Sequence, residues 1–100
     1  MTVVELQNHI RDQFMEQDRA RGAQGTFLCL IEEIGELSTA IVNGDQGNAE
    51  EELADSLMWL LAVANLLSID MQSAIDQCLS NPRKFTRRPL RNSTGKEYQK

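Results

Sequence analysis

Two helical patterns joined by a short polar turn, between Leu28 and Leu61, set the limits on what this chain can fold into. In the first, Phe27, Leu30, Ile31, Ile34, Leu37 and Ile41 recur at the helical period. The second helix is expected over 49–68. It carries Leu57, Met58, Trp59, Leu60, Leu61, Val63, Leu66 and Leu67, and so needs cover on more than one side. Gly44 lies where a C-cap glycine belongs, and Asn48 with Glu51 has cap-like spacing. Helices joined this closely lie antiparallel and side by side. One hundred residues offer little else to surround such a hairpin. The expected fold is all-α: a helical hairpin core with flanking helices, completed by self-association into a bundle of four-helix type, as a homodimer or homotetramer.

The flanking pieces follow from caps and breakers. Thr2 and Glu5 have capping-box spacing and open a helix striped by Val3, Leu6, Ile10 and Phe14, which fades near Arg21 and Gly22. Residues 22–25 read as a loop, with Thr26 as the next N-cap. Asp70 caps a brief last helix over 71–79, and Pro82 ends it. Residues 1–81 are therefore expected to form the domain, and 82–100 an extended or disordered tail.

The net charge of −5 hides an asymmetry. Residues 1–80 carry Arg11, Arg19 and Arg21 against fourteen acids, a balance of −11, while 81–100 carry seven basic residues against Glu97. Such a body repels nucleic acid and nucleotides alike unless cations intervene. Nucleic-acid binding is not expected beyond what the tail supports, since Phe85 is the one aromatic residue within its basic run 83–91. Cys29 and Cys78 read as buried, reduced thiols. The apolar run 57–67 is too short to span a membrane. No signal-peptide pattern opens the sequence, so a cytoplasmic protein is expected.

The two helices of the hairpin carry paired acids. Glu33 and Glu36 are three apart, as are Glu52 and Asp55, and this spacing puts each pair on one helix face. Brought together across the hairpin, the four carboxylates repel and raise one another's pKa. A hard divalent cation removes that conflict, and oxygen ligands suit Mg2+ or Mn2+. The plain alternative is a solvated acidic face of the kind common in first helical turns; Glu50 and Glu51 fit it. Trp59, one turn beyond Asp55, reads as packing in an oligomer core or as a stacking platform for a base. Asn65 reads as a bond across an interface, with contact to a base as the alternative. His9 has no partner at metal-ligand spacing.

The order Glu32-Glu33-x-x-Glu36, a spacer, then Glu52-x-x-Asp55 resembles the MazG-like family of all-α nucleotide pyrophosphohydrolases. Glu33-Ile34-Gly35-Glu36-Leu37, Glu52-Leu53-Ala54-Asp55, residues 18–22 and residues 68–70 all share in the likeness, which covers roughly residues 5–85. The resemblance implies a helical dimer or tetramer with magnesium on Glu33, Glu36, Glu52 and Asp55. It implies cleavage of nucleoside triphosphates between the α- and β-phosphates, giving monophosphate and pyrophosphate. Glu32 matches the first glutamate of the pattern. Either Glu32 or Glu36 could take the proton of the attacking water. Arg83 and Lys84, with Arg87 behind them, are candidates to reach the outer phosphates. Two other classes compete: a helical module that binds a nucleotide or partner without turnover, and a nucleic-acid-binding oligomer using the basic tail.

Overall fold

The computed structural model describes residues 1–81. Among these residues there is no strand. They form α1 (Val3–Val42), α2 (Gln46–Leu66) and α3 (Met71–Ser80). The start of α1 is the expected capping box: Thr2 Oγ1 accepts from the Glu5 N–H at 3.1 Å, and Glu5 Oε1 accepts from the Thr2 N–H at 3.1 Å.

Inside α1 one residue leaves helical geometry. Gly22 has φ 82° and ψ 164°, a region essentially closed to residues with a Cβ. It divides α1 into two arms, residues 3–21 and 23–42. The expected four-residue loop is thus corrected to a single-residue break. Thr26 is not an N-cap; it is fully buried inside the second arm. Its Oγ1 accepts from Arg21 Nη1 at 3.1 Å, so the hydroxyl bridges the break instead of capping a helix. A Cβ at Gly22 meets nothing within 4 Å. Gly22→Ala therefore isolates the backbone cost, expected at about 1–3 kcal/mol. It should lower the urea midpoint without changing the m value.

Gly44 closes the second arm, with φ 66°. Its N–H donates to the Ile41 carbonyl at 3.1 Å, and the Asp45 N–H donates to the Ala40 carbonyl at 2.9 Å, which is a Schellman turn. Asp45 then caps α2 by accepting from the Asn48 N–H at 3.1 Å. This moves the start of α2 three residues ahead of the expected 49, because Asp45 rather than Asn48 supplies the capping oxygen. Ser68, at φ 56°, ends α2 by the same turn, with the Ile69 N–H on the Ala64 carbonyl at 2.9 Å. Asp70 caps α3 as expected.

The second arm and α2 form the hairpin, and the first arm of α1 packs on the later part of α2. Ile10, Leu61 and Ala62 are the buried centre of that contact, with Val3, Leu6 and Met71 against them. Beside it, Gln7 fastens the turn between α2 and α3. Its Nε2 donates to the Ile69 carbonyl at 2.7 Å, and its Oε1 accepts from the Met71 N–H at 3.0 Å. Asn65 belongs to the same knot: its Nδ2 donates to the Gln7 carbonyl at 3.1 Å. The expectation that Asn65 bonds across an interface is corrected, since its partner lies in its own chain. Gly35, between the two acids of the second arm, is exposed, with open space at its Cβ position.

The core is small for so apolar a chain. Leu28, Ile34, Leu53 and Leu57 are 63, 47, 57 and 49% exposed. The cysteines are free but not buried as expected: Cys29 is half-buried and Cys78 exposed. Among the described residues, no single helix is long and apolar enough to cross a membrane.

Candidate metal centre

The hairpin geometry carries the acids to one place. Glu33 and Glu36 lie one turn apart on the second arm of α1, and Glu52 faces them from the second turn of α2. One carboxylate oxygen from each can be chosen so that all three lie within 4.8 Å of one another. Glu36 is exposed, Glu33 half-buried and Glu52 buried. Glu33 Oε2 and Glu52 Oε2 are both shielded from solvent, and neither has a hydrogen-bond partner. Buried carboxylate oxygens without donors are costly. The close approach of the Glu33 carboxyl, then burial, then the charges of Glu33 and Glu36 push the Glu52 carboxyl from its ordinary 4.5 up to about 7. The oxygen-only donor set, converging from two helices and forming no ion pair among the described residues, fits a hard divalent cation.

Asp55, one turn beyond Glu52, is half-buried. It lies outside the 4.8 Å group, and with Glu33 it lines an adjoining cavity of about 320 Å3. Glu32 is exposed and also outside the group; Glu50 and Glu51 are exposed on the solvent side. Arg83, Lys84 and Arg87 lie outside the described residues.

The cavity is walled by both arms and by α2. Along α2, Asp55, Met58, Trp59 and Ala62 recur at helical spacing, a wall about 10 Å long at 1.5 Å per residue. The first arm supplies Ile10, Phe14, Gln17, Asp18 and Arg21 opposite. Ile10 packs against Ala62, so that end is an apolar floor, while Glu33 and Asp55 mark the end at the acids. Trp59 is half-buried in this wall. The Arg21 guanidinium carbon stands 4.8 Å from its ring centroid, in cation–π contact. Arg21 is held there by Asp18 Oδ1, which accepts from Nη1 at 3.0 Å, and by Thr26.

Sequence reasoning pointed to the acids and counted residues 18–22 in the family likeness, but gave Gln17, Asp18, Arg21 and Thr26 no place in the site. The i, i+3 spacing of Asp18 and Arg21 was the available signal, and it marks an ion pair without saying what the pair faces.

Fold and site together define an all-α hairpin protein with an acidic, cation-seeking centre beside a cavity of small-molecule size. A family model described as the MazG nucleotide pyrophosphohydrolase domain matches residues 21–91, and the chain belongs to that family. The family typically uses a divalent metal and acts on nucleoside triphosphates. A comparison with curated proteins found no match.

Proposed function

We propose that this chain is a magnesium-dependent nucleoside triphosphate pyrophosphohydrolase, with Mn2+ able to substitute. Glu33, Glu36, Glu52 and Asp55 are the ligands and a nucleoside triphosphate is the substrate. The products are the nucleoside monophosphate and pyrophosphate. The observation that carries the reading is the pair of donorless, buried oxygens of Glu33 and Glu52, the first of which belongs to a residue lining the cavity. A bound divalent ion neutralises the charge that grows on phosphate oxygens when an anhydride is cleaved. The chain's own part is to aim the carboxylates, to shelter the base and sugar against Trp59 and the apolar floor, and to take the proton of the attacking water on Glu32 or Glu36. A cytoplasmic location is part of the same proposal.

The test is product identity. The protein is incubated with magnesium and a panel of normal and modified triphosphates, and the products are separated by chromatography. Monophosphate plus pyrophosphate is expected. Diphosphate plus orthophosphate would overturn the cleavage position, and no product from any nucleotide would leave a binding module.

We further propose that a second copy covers the exposed apolar side chains Leu28, Ile34, Leu53 and Leu57, giving a homodimer or homotetramer. Because that contact is apolar, light scattering after size exclusion should report the same mass with EDTA as with magnesium. Monomers in EDTA would show that metal rather than packing joins the copies.

A further inference from the structure

We infer that Arg21 is a phosphate-chain ligand of the proposed substrate, held ready by Asp18, Thr26 and Trp59. The inference rests on the pyrophosphohydrolase reading and adds to it a residue that the acids do not imply.

A triphosphate brings several negative charges to a body whose first 80 residues already carry −11. Metal at the acids answers part of that charge, and the outer phosphates still need a cation. Residues 1–81 contain three basic side chains. Arg11 and Arg19 line a different groove. Among the basic side chains of the described residues, Arg21 alone shares a cavity with Glu33 and Asp55.

Its geometry is that of a prepared donor. Both bonds that fix it use Nη1, one to Asp18 and one to Thr26. A guanidinium has five N–H donors, and those on Nε and Nη2 make no hydrogen bond among the described residues. The Asp18 side chain is only 5% exposed, and the guanidinium carbon lies over the Trp59 ring, so little rotamer freedom remains to lose on binding. Gly25 completes the arrangement. A Cβ there would lie 2.9 Å from Arg21 Cγ, so the side chain occupies its path only because residue 25 has none.

The test measures binding of inorganic tripolyphosphate by calorimetry in magnesium buffer, so no nucleoside and no turnover is involved. Arg21→Gln is expected to weaken binding by about 10–100-fold, the scale of a charged hydrogen-bond pair. Arg21→Lys should fall between, because it keeps the charge and loses the fork. Gly25→Ala, which keeps Arg21 and displaces its stem, should also weaken binding. Magnesium affinity, titrated alone, should be unchanged in all three. Any of three results would overturn the inference: no binding by the unaltered protein, unaltered binding in Arg21→Gln, or parallel loss of magnesium affinity. Normal hydrolysis of nucleotides by Arg21→Gln would sink this inference and leave the proposed activity standing. An inactive protein whose tripolyphosphate binding depends on Arg21 would do the reverse.

Discussion

Glu52→Gln is expected to reduce pyrophosphohydrolase turnover by at least about a hundredfold, since even residues that merely support metal ligands cost 10–100-fold when changed. The same variant should fold as well as the parent or better. In the metal-free protein Glu52 is a buried carboxylate beside Glu33 and Glu36, with a bare Oε2. Glutamine removes the charge, and its amide can donate to the neighbouring Glu33 Oε2, which is equally bare. Far-UV circular dichroism should be unchanged, and the melting temperature in EDTA should be equal or higher. The rise in melting temperature that magnesium gives the parent should shrink or vanish. Glu36→Gln and Asp55→Asn should likewise abolish turnover without loss of helix. Full activity in these variants would remove these three acids from the centre.

The second large effect is on pH dependence. The folded chain holds the Glu52 proton up to about pH 7, whereas the ordinary value is 4.5. Protonation therefore favours the folded state. In EDTA this contribution is complete below pH 4.5, is lost as pH rises through 7, and is level above. Other carboxylates titrate in the same range, so the clean measurement is the difference between parent and Glu52→Gln in urea midpoints from pH 4.5 to 8. Magnesium binding has the opposite slope, because the ion requires the proton to leave. Its affinity should rise about tenfold per pH unit up to neutrality and then level, a dependence that Glu52→Gln should flatten. A magnesium affinity in the parent that is independent of pH from 5 to 7 would separate Glu52 from the ion.

The acids were legible in the sequence because their information is local. Two i, i+3 pairs and a short turn fix which helix faces carry them, and hairpin packing brings Glu33, Glu36 and Glu52 together. The separate position of Asp55, one turn along and facing the cavity, depends on how the helices roll against each other, and no spacing rule contains that. Gly22 was correctly the place where the first helix fails. Its neighbourhood was misread because Gly25 and Thr26 look like a loop and a cap. In the folded chain Gly25 makes way for Arg21 and Thr26 binds it. Both residues answer to a side chain from across the break, and local propensity cannot register such a partner. Asp45 outranked Asn48 as a cap for a simpler reason: the Schellman turn at Gly44 delivers Asp45 directly to the free N–H of Asn48.

The family match begins at Arg21, yet the opposite wall of the cavity is built from Ile10, Phe14 and Asp18. The folding unit therefore extends upstream of the matched residues. A fragment cut at Arg21 would keep every acid of the centre and lose the floor beneath its ligand, the contact that covers Leu61 and Ala62, and the anchor of its own first side chain. Trimming the chain to its matched part would leave the acidic hairpin without the opposite wall of its cavity.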